Sequence, residues 1–313
     1  MTHHNSSQKN WKDYLPDHES WLEKLTVTSL GEAAPGYHYL VPIEQGNNGS
    51  KETKISALPD KLGQGVLDEA KKSGWQPGSG SVTVNHGGMT FHLVATSKLD
   101  TTTPQKGRQV GLDGARYLGK MNCQKLVLCP SKESLASDLF EGYLQGLYSL
   151  SSFKGKKEEP SETPSYPSEL KILGGEDQVK NVTDVIAYCR ACSLTRLIAD
   201  APPNWLDSEM FAHIASSVAK DLGVKCHIKG GKELEELGMG SFLSVAQGTT
   251  KDPKLIVLEI EGQDPSRWVA LVGKGLTFDA GGISLKPSSG MGEMKYDLCG
   301  GAAVMGAACY LAH

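Results

Sequence analysis

Residues 255–273 read LIVLEIEGQDPSRWVALVG, two apolar runs rich in branched side chains, separated by a polar turn. Runs of this length and composition are expected of strands buried on both faces. Upstream, VKCHIK (224–229) reads as a further strand. It follows an amphipathic helix pattern from Ser208 (SEMFAHIASSVAKDL) and precedes the short helix KELEEL and a glycine-rich turn, GMGSFLSVAQGT. Helices alternating with strands predict an α/β domain around a mixed, largely parallel sheet. Ligands of such sheets gather at the carboxyl edge of the strands. Chemistry is therefore expected just after residues 268–273.

Before this domain the chain has a second α/β region. YHYLVPI (37–43), SVTV (81–84), FHLVATS (91–97) and KLVLC (125–129) read as strands. LASDLFEGYLQGLYSL reads as a helix that Ser131 or Ser134 could cap. Residues 1–30 look like a loosely ordered lead-in, and 31–175 form the N-terminal α/β domain. Within it, 154–169 (KGKKEEPSETPSYPSE) has three prolines and many charges, the composition of an exposed loop. LKILG (170–174) adds one more strand. Residues 176–203 hold a connecting helix that ends where Pro202 and Pro203 forbid its continuation. Residues 204–313 form the last region.

The 313 residues suffice for two domains, and 39% hydrophobic with 22% charged residues is a globular balance. A net charge of −4 offers no basis for polyanion binding. The polar N-terminus lacks a signal-like apolar core, and no apolar window reaches membrane-spanning length. Seven scattered cysteines do not suggest a disulfide framework and point to a cytoplasmic setting. Cys189 and Cys192 form a CxxC, but within a helix pattern, so they read as packing residues.

The stretch 272–307, VGKGLTFDAGGISLKPSSGMGEMKYDLCGGAAVMGA, threads Lys274, Asp279, Lys286, Glu293, Lys295 and Asp297 on glycines. An ammonium coming directly off a buried strand would be costly without a partner. Gly281 and Gly282 let backbone approach whatever Asp279 binds. Two aspartates suit divalent cations held through oxygen. A lysine can join them only as a neutral amine, whereas a second one kept charged could stabilise a developing oxyanion. GKG alone is no nucleotide motif, since neither GxGxxG nor GxxxxGK[ST] is present.

Residues 272–303 resemble the leading signature of the leucyl aminopeptidase family, the cytosolic two-metal exopeptidases, and are most similar to its bacterial aminopeptidase A branch. DAPPNWLDSEMFA (200–212) and LGMGSFLSVAQGT (237–249) carry the same resemblance. It implies that Lys274, Asp279 and Asp297 are metal ligands, with Asp279 bridging two ions. It also implies that Lys286 polarises the substrate carbonyl and that Met294 walls the side-chain pocket. Two divalent ions (Mn2+ or Zn2+, with Mg2+ or Co2+ as substitutes), a bicarbonate base, peptide substrates with free N-termini and a homo-hexamer are implied with them. Ala280 stands where the family usually has serine, and Gly301 where it usually has alanine. The second signature, an Asn-Thr-Asp/Glu-Ala-Glu-Gly-Arg run, is absent from these residues. The catalytic domain is accordingly expected to be incomplete here, its sheet unfinished, and this chain inactive by itself. The N-terminal region resembles a macro-type fold. The competing reading is a catalytically dead homologue with a structural or binding role, including DNA binding.

Overall fold

A computed structural model describes residues 10–14, 16–45, 53–76, 79–94, 103–119, 121, 123–150, 153, 166–264 and 266–313. They fall into two compact units, one from residues 17–151 and 156–189, the other from 190–313 together with residues near 10–16 and 153.

In the N-terminal unit the chain runs through α1 (Pro16–Lys24), β1 (Val27–Leu30), β2 (His38–Pro42), β3 (Glu44–Gln45), β4 (Thr53–Lys54) and α2 (Asp60–Lys72). It continues through β5 (Val82–His86), β6 (Met89–Val94), α3 (Pro104–Leu118), β7 (Lys125–Leu128), α4 (Ala136–Gly146) and β8 (Glu169–Leu173). Six strands form one sheet in the order β1-β8-β7-β2-β6-β5. Every neighbouring pair is parallel except β5–β6. That hairpin turns through Gly87 and Gly88 at φ 59° and 74°, values that a two-residue turn of this hand requires. The short pair β3–β4 is antiparallel.

Alternation along the central strand β2 builds the core on both faces. Tyr39 and Val41 join Phe91, Leu93 and Val127 and pack with Val66 and Leu67 of α2. Leu40 joins Leu126, Leu128 and Ile172 and packs with Val110, Phe140, Tyr143 and Leu144 of α3 and α4. Each such apolar side chain, fully buried, contributes about 1.5–3 kcal/mol. The helices α3 and α4 approach through glycines: a Cβ on Gly142 would stand 2.6 Å from the Arg108 carbonyl carbon.

Two expectations change here. Residues 16–30 are not a loose lead-in: α1 buries Leu22, and β1 pairs with β8 in register Val27↔Leu170. Tyr14 meanwhile sits edge-on to Trp205 in the C-terminal unit, ring centroids 4.6 Å apart. Neither Ser131 nor Ser134 caps α4; a 3-10 turn, Glu133–Leu135, leads into it, with Leu135 at the cap. Of the proline-rich loop, residues 154–165 lie outside the described residues.

Helix α5 (Val182–Asp200) crosses the division between the units after Cys189. It carries Cys189 buried and Cys192 half-buried, neither of them in a disulfide. The C-terminal unit then has α6 (Ser208–Leu222), β9 (Lys225–Lys229), α7 (Gly231–Glu236), α8 (Gly240–Ser244), β10 (Leu255–Glu259) and α9 (Cys299–Leu311). Asp207 caps α6, its side chain accepting the Met210 N–H at 2.9 Å, and Gly223 closes it at φ 69°. Among the described residues no helix is long and apolar enough to cross a membrane.

The α/β class holds, and the largely parallel sheet lies in the N-terminal unit. In the C-terminal unit β9 and β10 pair antiparallel, Val257 opposite His227. WVALVG (268–273) is not a strand, contrary to the sequence reading. Its side chains are exposed, Val272 at 92%, because a strand exists only through backbone pairing and no described residue supplies a partner ladder.

Candidate active site

Lys274 follows that irregular run, so it does not leave a buried strand as expected; its side chain is 59% exposed. What fixes it is the start of α9. The Gly301 N–H donates to the Lys274 carbonyl at 2.6 Å. A Cβ on Gly273 would stand 2.5 Å from the Gly300 carbonyl carbon and 2.8 Å from the Gly301 Cα. Backbone thus lies directly on backbone. A Cβ on Gly301 would meet the Gly275 Cα at 3.1 Å and Phe211 at 3.3 Å, so the glycine that departs from the family's alanine contributes to this contact. The lysine side chain then reaches back, Nζ donating to Asp297 Oδ1 at 2.6 Å.

Asp297 belongs to a 3-10 segment, Met291–Leu298, that runs straight into α9. This helix is held from behind by α5. A Cβ on Gly306 would stand 2.9 Å from the Ala191 carbonyl oxygen, and the Thr195 hydroxyl lies 3.3 Å from the Ala302 carbonyl oxygen. Small residues in GGAAVMGAA therefore allow the close support expected for them.

Asp279 and Lys286 are brought together by a tight loop. Gly281 takes φ 89°, where a Cβ would meet the Ser284 carbonyl oxygen at 2.5 Å. The Lys286 N–H donates to the Ala280 carbonyl at 3.0 Å. Ala280 contributes only backbone here, so the lost serine hydroxyl leaves the turn intact. Lys286 Nζ then donates to Asp279 Oδ2 at 2.6 Å, and the Gly281 N–H donates to Asp279 Oδ1 at 2.9 Å. Half-buried Met294 presents its sulfur 3.4 Å from Lys286 Nζ.

These contacts set the charge state. The Lys286 ammonium first, then the Gly281 N–H, hold the Asp279 carboxyl below its ordinary range, with a smaller contribution from Lys274. Asp279 is thus a firm carboxylate at neutral pH. Each aspartate is faced by an ammonium, a cation already standing beside each acid. Two carboxylates with one amine that could deprotonate make a hard-to-borderline donor set, which fits a divalent ion.

Sequence reasoning named these five side chains but not their supports. It missed the Gly273–Gly300 contact and Thr195 behind α9, and it named Lys295 only as one of the loop's charges, not as the side chain whose Nζ donates to the Asp200 carbonyl at 3.0 Å. Paired glycines at 273/275 and 300/301 were the available signal. Glu293 is exposed and turned to solvent.

The chain is thus an α/β protein whose C-terminal unit brings two carboxylates and two lysine amines together in one glycine-rich segment. Residues 193–313 match the family model described as the cytosol aminopeptidase family, catalytic domain. A cytosol aminopeptidase of Pseudomonas aeruginosa is 41% identical over 203 residues, which is 63% of this chain and 39% of the relative. A probable cytosol aminopeptidase of Desulfotalea psychrophila is 38% identical over 174 residues, 53% of this chain and 34% of the relative. The chain thus spans little more than a third of the length of these relatives. Among solved structures, a mutant tomato leucine aminopeptidase matches with a TM-score of 0.71 at 23% identity, covering 92% of this chain and 59% of that one. A bottromycin maturation enzyme in complex with manganese matches at 0.62 and 22% identity, covering 91% and 56%. These two likenesses establish the shared fold.

Proposed function

We propose that the protein is a metal-dependent aminopeptidase releasing apolar N-terminal residues, leucine above all, from peptides. The observation that carries this reading is the pairing of Lys286 with Asp279 and of Lys274 with Asp297 inside the segment that matches the family's catalytic domain. Lys274, Asp279 and Asp297 would hold divalent ions, Asp279 serving two of them. Bound there, the ions would supply Lewis acidity and a nucleophile available at neutral pH.

The chain's own residues do the rest. Lys274 must give its proton to solvent before its amine can ligate; a neighbouring dication favours that neutral form. Lys286 then loses its claim on Asp279 and turns its ammonium to the scissile carbonyl oxygen, where it stabilises the negative charge that grows during attack. Met294, in contact with Lys286, forms an apolar wall for the first side chain of the peptide. Mn2+ or Zn2+ as the ions, bicarbonate as base, a homo-hexamer and a cytoplasmic location belong to the same reading.

The test is metal-stimulated release of p-nitroaniline from leucine p-nitroanilide by a full-length parent that carries the second signature, with these 313 residues alone expected to show none. Lys286→Ala should lower kcat at least a hundredfold, the scale of losing one oxyanion donor, with metal content unchanged and KM changed far less. Loss of bound metal in that variant would make Lys286 a ligand and overturn the division of roles between the lysines.

A further inference from the structure

We propose that His38, His92 and Cys123, in the N-terminal unit, form a binding site for a borderline transition-metal ion of the zinc class. Their ligating atoms lie within 4.8 Å of one another, the one such grouping of His, Cys, Asp or Glu among the described residues. His38 Nδ1 is 2.9 Å from His92 Nε2, and Cys123 Sγ is 3.5 Å from the first and 3.8 Å from the second. A tetrahedral zinc ion with Zn–N of ~2.0–2.1 Å and Zn–S of ~2.3 Å sets its ligands about 3.3 Å (N···N) and 3.6 Å (N···S) apart. The three atoms therefore need adjustments of only about half an ångström to share one ion.

The surroundings are those of ligand imidazoles. His92 turns its other nitrogen, Nδ1, to the Thr83 hydroxyl at 2.8 Å, and that hydroxyl is 3.0 Å from the Tyr117 hydroxyl. The Thr83 hydroxyl can accept from Nδ1–H and pass its own proton to the Tyr117 oxygen, an arrangement that turns the Nε2 lone pair towards His38 and Cys123 for an ion to take up. His92 and Cys123 are buried and His38 half-buried, so the cluster has one side towards solvent. Loading an ion would expel the Cys123 thiol proton to solvent, leaving thiolate as the third ligand. Two imidazoles bonded only to each other would not require a sulfur placed against both nitrogens.

The experiment is titration of the metal-stripped chain with Co2+ alone, read by absorption. A sulfur-to-cobalt charge-transfer band at one equivalent is expected, displaced by equimolar Zn2+. The loop with Lys274, Asp279 and Asp297 offers no thiolate and cannot produce that band. Cys123→Ser and His38→Gln should each abolish it, with folding checked by circular dichroism; the half-buried His38 position decides if the buried one unfolds. Thr83→Val should keep the band but weaken cobalt affinity about 10–100-fold, the cost of losing an outer-shell partner. Exposed Cys299→Ser should change nothing. No sulfur charge transfer, or a band that survives His38→Gln in folded protein, would overturn the proposal.

Discussion

Replacing Gly273 by alanine tests the idea that backbone contact at the start of α9 positions Lys274. The new Cβ would stand 2.5 Å from the Gly300 carbonyl carbon and 2.8 Å from the Gly301 Cα. Carbon atoms prefer about 3.5–4.0 Å, so the two segments must part by about 1 Å. No flexible side chain can yield, because the obstacle is main chain. Overpacking of this kind costs about 1–3 kcal/mol, and loss of the Gly301 N–H bond to the Lys274 carbonyl about 0.5–1.5 more. Reduced freedom of the unfolded chain returns about 0.4–1 kcal/mol. The net is about 2 kcal/mol of destabilisation, or roughly 4–8 °C in the midpoint for a unit of this size. Scanning calorimetry of the metal-free protein reads it directly. Gly282→Ala is the control: no atom lies within 4 Å of a Cβ there, so it should fall within about 0.5 kcal/mol of the parent. A Gly273→Ala protein melting within about 1 °C of the parent would refute the argument that backbone contact sets the position of Lys274.

Three further outcomes are expected. Asp279→Ala should lower occupancy of both metal positions by elemental analysis, whereas Asp297→Ala should empty chiefly the one shared with Lys274; equal two-metal content in Asp279→Ala would remove the bridge from Asp279. Gly142→Ala should cost about 1–3 kcal/mol in urea unfolding, since its Cβ would lie 2.7 Å from the Arg108 Cα across the α3–α4 contact. Asp207→Ala should cost about 1 kcal/mol as a lost cap. Burial raises the Asp207 carboxyl, but the hydrogen bonds from Lys251 and the Met210 N–H outweigh it and the net shift is downward. A carboxyl with a depressed folded value stabilises above its ordinary value near ~4 and loses that contribution as pH falls through the folded value. The difference between parent and Asp207→Ala should therefore shrink in acid, as chemical denaturation below pH ~4 would show.

Buried strands were legible because both-sided burial writes a continuous apolar run, as in YHYLVPI and KLVLC. β1 was not: VTSL is four residues of mixed polarity whose strand character comes from β8, some 140 residues later in the chain. WVALVG misled for the converse reason, since hydrophobicity signals a wish for burial and only a partner backbone makes a strand. The loop from Lys274 to Asp297 stood out because charges threaded on glycines are rare in an apolar neighbourhood. The pairing of each lysine with its aspartate depends on the Gly281 turn and on α9, which spacing alone does not specify. His38 opens β2, His92 lies within β6 and Cys123 sits in the loop before β7, so no local pattern could join them.

The exposed run before Lys274 also gives the molecule an optical label. Trp268 is 78% exposed, whereas Trp11 and Trp75 are buried at 3% and 6%, and Trp21 and Trp205 are partly covered. Iodide, which reaches only solvent-facing indoles, should therefore quench Trp268 in preference to the others. That indole lies six residues before Lys274, so its red-shifted, quenchable emission reports on this segment, and any partner or ligand that covers it will register as a blue shift with loss of quenching.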